Sequence, residues 1–180
     1  IEYVTDSGGR RVGKKVGGSL MKGFLYKNNL ILAETDAGHN VVSRFVYGTG
    51  ERTPDYMIKG GNTYRLVKDH LGSVRLVVRT DNGNIAQRLD YNAFGKVIND
   101  TNPGFQPFGF AGGLYDPDTG LTRFGFRDYD ATAGRWTTKD PIRFRGGDSN
   151  LYAYVANDPV NFTDPLGMQA EGEGECTFVV

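Results

Sequence analysis

The sequence predicts a mainly β protein assembled from short antiparallel hairpins, and three observations carry that reading. Glycine is very frequent, at 26 of 180 residues. Aromatics are plentiful, with 11 Phe, 10 Tyr and one Trp. Aromatic side chains suit a pleated, half-buried surface, and glycine suits tight turns between strands. Turn signals recur between short apolar runs, while helix is signalled only weakly.

Three turn signals share one form: Thr5-Asp6-Ser7-Gly8, Thr35-Asp36-Ala37-Gly38 and Thr80-Asp81-Asn82-Gly83. A short acidic or amide side chain accepts backbone N–H bonds, and Gly tolerates positive φ, so each is expected to turn the chain. Flanking runs read as strands: "FLYKNNLILAE" within Gly23–Glu34, "VVSRFVY" over Val41–Tyr47 and "RLVVR" over Arg75–Arg79. A second unit sets Asp or Asn after Tyr and closes on Gly: "YNAFG" (Tyr91–Gly95), "YDPDTG" (Tyr115–Gly120) and "YDATAG" (Tyr129–Gly134). Apolar or basic residues follow each unit and are expected to return as the next strand. Any antiparallel protein needs Asp-Gly turns and aromatic cross-strand pairs, so the turns alone identify nothing. The Tyr-Asp units, alike in spacing and surroundings, carry more weight, and their irregular intervals read as a string of hairpins rather than a strict solenoid.

The remaining elements are few. One short helix of about two turns is expected over Asn150–Asn157, capped by Asn150 and stopped before Pro159, with Asp158 ending it. "DTNPGFQPFGFAGG" (Asp100–Gly113) has no period and reads as an aromatic loop, either ordered by its three Phe or mobile. "YGTGER" (Tyr47–Arg52) lacks the Lys-Ser/Thr and the strand-to-helix setting of a phosphate loop and reads as a turn. His70 reads as a packed or capping histidine, and Trp136, Tyr152 and Tyr154 as packing residues.

Composition narrows the function. Lys+Arg and Asp+Glu stand at 21 each, so no net field recruits nucleic acid or an anionic membrane. A single cysteine, Cys176, excludes an internal disulfide framework and any multi-cysteine zinc site, and it is not placed for prenylation. With only His39 and His70 besides, neither a metal nor a cofactor is expected. No 18-residue apolar run is present, so no membrane span is expected, and "IEYVTDSGGRR" is not a signal peptide. A start at Ile1 suggests a piece of a longer chain.

From Asp69 onward, "DHLGSVRLVV", "YNAFGKV", "GLYDPDTGLTRFGFRDYDATAGRWTTKDPI" and "GGDSNLYAYVANDPVNFTDPLGM" resemble the RHS repeat-associated core, the terminal part of RHS and YD-repeat proteins. The resemblance implies a spiralling ribbon of antiparallel hairpins that forms part of a hollow shell. It divides the chain into degenerate YD-type hairpins (1–63), the core with its autoproteolytic motif (64–168) and a tail (169–180). In bacterial polymorphic toxins and in C subunits of insecticidal toxin complexes, such a shell encloses a C-terminal toxic segment, and the core cuts itself after its final motif. Teneurins resemble the same shell and use it in adhesion. By this resemblance the chain is secreted or at a bacterial cell surface. Its partners would be its own C-terminal segment, and upstream repeats or another β-rich chain at open sheet edges.

The same resemblance implies a site. The cleavage motif falls on Asp164, Pro165, Leu166, Gly167 and Met168, which makes Met168–Gln169 the bond at risk; Met stands where Leu is commoner. The catalytic carboxylates fall on Asp128 and Asp140, with Arg127 as the positively charged residue that precedes the first of them and holds the pair. Two acids sharing one site do not both ionise readily, so one holds a proton while the other activates water, and no metal is needed. Asp116, Asp118, Asp130 and Asp164 are rival acids, each with a plainer role in capping a turn. The twelve residues after Met168, "QAEGEGECTFVV", are too few for a folded cargo, and the apolar Phe178-Val179-Val180 is expected to dock as a strand or lie in the shell. Two readings follow: a single-turnover aspartyl autoprotease that closes a cargo shell, or a non-enzymatic surface or assembly module of YD-repeat type. A glycosidase is a weak third, since no sugar cleft is evident. An exposed ribbon edge seeks a partner, so the piece is expected either to close on itself or to pair with another chain.

Overall fold

The computed structural model describes residues 1–49, 52–143 and 149–172. Ten strands follow one another: β1 Glu2–Thr5, β2 Arg11–Val16, β3 Ser19–Lys27, β4 Leu30–Asp36, β5 Val41–Val46, β6 Tyr56–Lys59, β7 Asn62–Lys68, β8 Val74–Arg79, β9 Ile85–Tyr91 and β10 Val97–Asp100. They form a single antiparallel meander in sequence order. Four more, β11 Leu114–Asp116, β12 Leu121–Phe124, β13 Arg127–Asp130 and β14 Arg135–Trp136, make a second sheet, and β15 Phe162–Thr163 pairs with β16 Glu171–Gly172. The mainly β class and the hairpin ribbon hold, and β7 runs through the expected boundary at 63–64, so residues on either side share one sheet.

The three Asp-led turn signals turn the chain through the expected side-chain acceptors, and the positive φ falls on Gly9, His39 and Gly83. Asp6 Oδ1 accepts from Gly8 N at 2.9 Å and Arg10 N at 3.0 Å. Asp36 Oδ1 accepts from Gly38 N and Asn40 N, both at 2.9 Å, and Asn82 Oδ1 from Asn84 N at 2.9 Å. The three Tyr units sit at the β9–β10, β11–β12 and β13–β14 turns, where Asn92, Asp116 and Asp130 accept the turn's N–H groups. "FLYKNNLILAE" is two strands: Asn28, at φ +54, reverses the chain between β3 and β4.

Alternation gives the ribbon one buried face. Phe24, Ile31, Phe45, Met57, Tyr64, Leu66, Val77 and Leu89 meet Phe108 and Leu114 across the core, while Leu25, Ile58 and Val67 face outward. The loop over 100–113 is ordered by its aromatics. Phe108 lies edge-on to Phe45 at 4.9 Å, Phe105 edge-on to Tyr64 at 5.2 Å, and Phe110 enters a second cluster with Phe124, Tyr129, Trp136 and Tyr154. Phe110 covers the face of Gly95, where a Cβ would stand 2.2 Å from the ring.

One expectation changes, and one of two alternatives is removed. The short helix is a single 3-10 turn, Val155–Asn157, rather than two turns from Asn150, because Val155, Ala156 and Asn157 all take positive φ (42°, 52° and 63°) and right-handed helix cannot run through them. The Asn150 side chain instead accepts from Tyr152 N at 3.1 Å. The ribbon also does not close on itself: β1 and β10 are the two ends of an open sheet. Cys176 and the Phe178–Val180 end lie outside the described residues, as do Gly50 and Glu51 of "YGTGER".

The start of the ribbon folds onto the second sheet and fixes its place. Tyr3 Oη donates to Asp116 Oδ2 at 2.5 Å, and buried Lys14 reaches Asp116 at 2.6 Å and Asp118 at 2.5 Å. Burial would push the Asp116 carboxyl up, but hydrogen bonds from Lys14 and Tyr3 outweigh it and hold the group below its ordinary value.

Candidate active site

Strand β13 starts with Arg127, and period-2 alternation sends Arg127 and Asp128 to opposite faces. Arg127 is buried at the centre of a cluster drawn from three chain segments. Its Nη2 lies 2.9 Å from Asp140 Oδ2 and 3.2 Å from Asp164 Oδ2. Its Nε donates to Gly167 O at 2.6 Å, and its guanidinium stacks over Trp136 with the carbon 4.1 Å from the ring centroid. The cation is thereby oriented by a face, a carbonyl and two carboxylates, the kind of fork recognition that favours Arg over Lys.

Each partner is held locally. Asp140 leads the "DPI" turn, where its Oδ1 accepts from Ile142 N at 2.8 Å and its N–H donates to Leu151 O at 3.0 Å. Asp164 leads "DPLGM", and its Oδ1 accepts from Met168 N at 2.9 Å. Burial pushes the Asp164 carboxyl up from its ordinary value, against the pull of the Met168 and Gln169 N–H groups and of Arg127. Burial likewise lowers Arg127, and the two carboxylates oppose that shift.

The motif itself is clasped by the β12–β13 turn. Phe126 N donates to Leu166 O at 3.0 Å. Gly125 and Gly167 permit this approach: both have positive φ (+43° and +67°), and a Cβ on either would lie 2.5 Å from a carbonyl oxygen of the other segment, Leu166 O or Phe124 O. Beside the clasp lies a cavity of about 390 Å³ lined by Arg127, Asp140, Asp164, Met168 and Gln169 among others, so both carboxylates and the Met168–Gln169 bond border one space.

Arg127, Asp140 and the motif residues Asp164, Gly167, Met168 and Gln169 therefore come together. Pro165 and Leu166 turn toward a second cavity of about 310 Å³ on the ribbon side. Asp128 does not join them. Its Oδ1 is 2.6 Å from Arg11 Nη2 and its Oδ2 is 3.2 Å from Arg123 Nη1, on the face of β13 turned to the ribbon. The acid that meets Asp140 is Asp164, read above as the first residue of the motif and as a rival acid with a plainer role in capping a turn. A sequence signal for the pair was present, since both acids stand in Asp-Pro dipeptides, Asp140-Pro141 and Asp164-Pro165. Arg11 carried none, lying 117 positions from its partner.

The rival acids keep their plainer roles. Asp130 caps its turn, Asp116 caps its own and binds Lys14, and exposed Asp118 meets Lys14. His70 Nε2 lies 2.9 Å from Val160 O. Trp136 and Tyr154 are buried in the second cluster, and Tyr152 is half-buried. Among the described residues no cluster of His, Cys, Asp and Glu could hold a metal, and no helix is long and apolar enough to cross a membrane.

Known proteins share this architecture. The teneurin YD-shell family model matches residues 1–160. Human Teneurin-4 is 32% identical over 178 residues, covering 89% of this chain and 6% of its own, and Teneurin-3 of Danio rerio is 41% identical over 115 residues, 58% of this chain and 4% of its own. A crystal structure of TcdB2-TccC3 without its hypervariable C-terminal region superposes with a TM-score of 0.67 at 21% identity, over 92% of this chain and 9% of that one. The chain thus spans under a tenth of the length of each. A ten-strand hairpin meander followed by a four-strand sheet, with tyrosine-led turns at three of their hairpins, the extent of the family match and the shared shell fold lead to one assignment: the chain belongs to the teneurin YD-shell family, as an RHS/YD-repeat shell core.

Proposed function

We propose that this core closes a β-shell and cuts its own Met168–Gln169 bond, as a single-turnover aspartyl autoprotease whose carboxylates are Asp140 and Asp164 with Arg127 between them. The observation that carries the reading is the meeting of both acids on one guanidinium at the rim of the cavity that holds the bond.

Burial raises the Asp164 carboxyl above its ordinary value, so in this reading Asp164, when it holds a proton, serves as the acid and Asp140 serves as the base. A water attacks the Met168 carbonyl carbon and passes a proton to Asp140. The C–N bond breaks as Asp164 gives its proton to the Gln169 nitrogen, whose N–H already faces that carboxyl. A Met168 carboxyl group and a Gln169 amine result. Because the bond belongs to the same chain, proximity supplies much of the acceleration, with effective molarities of ~10⁵ M or more in well-oriented cases. Arg127 holds the Gly167 carbonyl and so the strand leading to the bond. Material beyond Gln169 would be released inside a shell secreted or displayed at a cell surface.

The test is the intact mass of freshly purified protein at neutral pH, beside Asp140→Asn and Asp164→Asn. Acid is avoided because Asp-Pro bonds break chemically. Cutting after Met168 in the wild type and in neither variant supports the proposal. A folded wild type that stays whole supports the second reading, a non-enzymatic adhesion or assembly module, which the likeness to teneurins favours.

A further inference from the structure

The face of β13 opposite Arg127 is occupied by the first turn of the ribbon. Arg11 is 3% exposed and its Nη2 lies 2.6 Å from Asp128 Oδ1, while Arg123 takes Asp128 Oδ2 at 3.2 Å. Arg123 Nη2 also donates to Gly9 O in the β1–β2 turn at 2.7 Å. Gly9, at φ +74°, packs against the Phe126 ring, where a Cβ would meet it at 2.4 Å. Arg11 itself is braced, with its guanidinium 3.4 Å above the Tyr3 ring and its carbonyl accepting from Tyr26 Oη at 2.8 Å.

Three consecutive residues thus face both ways. Phe126 meets the ribbon turn with its ring and the motif with its N–H; Arg127 meets the motif; Asp128 meets the ribbon. Both oxygens of Asp128 are committed to arginines, and Asp128 does not line the cavity at the scissile bond. A strand residue cannot rotate without turning its neighbours, so a pin on Asp128 fixes the direction of Arg127.

We infer that the β1–β2 turn of the ribbon, pinned through Arg11 to Asp128, sets Arg127 on the far face of β13, so that Asp128 is a positioning residue through which ribbon docking licenses cleavage. This rests on the cleavage reading above. It makes cutting conditional on winding: a core whose ribbon has not yet seated would hold Arg127 loosely and spare the bond.

The experiment compares wild type with Arg11→Met, Asp128→Ala, the double variant, and Arg75→Met as a control in an unrelated ion pair with Asp90. Two readouts are taken: the rate of cleavage, and amide hydrogen exchange over residues 164–169. Misplacement of a supporting group by about 1 Å costs on the order of 10²-fold in rate. Both single variants should lose about that factor and both should lose protection over 164–169. The double variant should be no worse than either single, because one link is broken once. Arg75→Met should change neither. Asp128→Asn, which keeps the shape and one acceptor, covers the case in which Asp128→Ala does not fold, and should lose protection in part. The inference is overturned if Asp128→Ala or Asp128→Asn stops cleavage with 164–169 fully protected, or if Arg11→Met leaves both readouts unchanged. If the wild type does not cut, the cleavage reading fails, while the exchange comparison still decides whether Arg11 and Asp128 order the motif.

Discussion

Replacing Arg127 with Met removes a cation that neutralises two buried carboxylates, and the cost should depend on pH in a definite direction. Arg127 and Asp164 are 4% and 3% exposed in their side chains, and Asp140 is 10% exposed. Removing one partner from a buried ion pair typically costs ~3–5 kcal/mol, because the other is left charged and unpaired. The hydrogen bond to Gly167 O adds ~1.5–3 kcal/mol as a bond from a charged donor. Asp164 can escape part of the penalty by taking up a proton. Its folded-state pKa already lies above the ordinary 3.8, and losing Arg127 raises it further. The folded variant then binds more protons than the unfolded chain between those two values, so its stability falls as pH rises through that window. Equilibrium urea unfolding at about pH 4 and pH 7.5, run on wild type and Arg127→Met, measures this. The expected result is a destabilisation of ~3 kcal/mol or more at the higher pH and clearly less at the lower. A loss below about 1 kcal/mol at pH 7.5, or the same loss at both pH values, would refute the argument that Arg127 neutralises buried charge.

Other predictions follow from separate parts of the structure. Gly125→Ala forces a Cβ to 2.5 Å from Leu166 O at φ +43°, so it should cost ~1–3 kcal/mol and raise hydrogen exchange over 164–168, while exchange in β4–β8 stays as it was. Asp116 has a depressed folded pKa, so its contribution is complete above the unfolded value of 3.8 and is lost as pH falls through the lower folded value; Asp116→Asn should flatten that part of the acid unfolding curve. Trp136→Leu removes a fully buried ring and the face under Arg127, which should lower stability by ~3 kcal/mol in thermal or urea melts. Among the described residues the β1 and β10 edges are unpaired, which predicts concentration-dependent association in sedimentation velocity, and a monomer at every concentration would argue against exposed pairing edges.

What the sequence could reveal here depended on distance along the chain. Turns are local: Asp6, Asp36, Asn92, Asp116 and Asp130 each satisfy N–H groups within four residues, so their identity announces their geometry. The ribbon followed from those turns and from alternating burial. Helix prediction failed at 155–157, where three residues take positive φ although Val and Ala give no sign of it. The site was legible as a set of residues through family resemblance, but not as a geometry. The family resemblance set Asp128 with Arg127 and Asp140, but Arg127 and Asp128, though neighbours in sequence, occupy opposite faces of β13, and the strand separates Asp128 from Asp140. Asp164 reads from the sequence as the start of the cleavage motif and as a rival acid that caps a turn, and that same turn brings it back to Arg127. Arg11 joins Asp128 across the whole fold, and long-range ion pairs of this kind leave no periodic trace.

Cleavage in water enriched in ¹⁸O tests the central claim most directly, with the two fragments weighed after incubation at neutral pH. Hydrolysis by Asp140 and Asp164 predicts one fragment ending at Met168 that carries one ¹⁸O in its new carboxylate, and a second beginning at Gln169 with none. Asp140→Asn and Asp164→Asn should yield no such pair. An uncut chain, a break at Asp164–Pro165 instead, or label appearing equally in both variants would contradict the account.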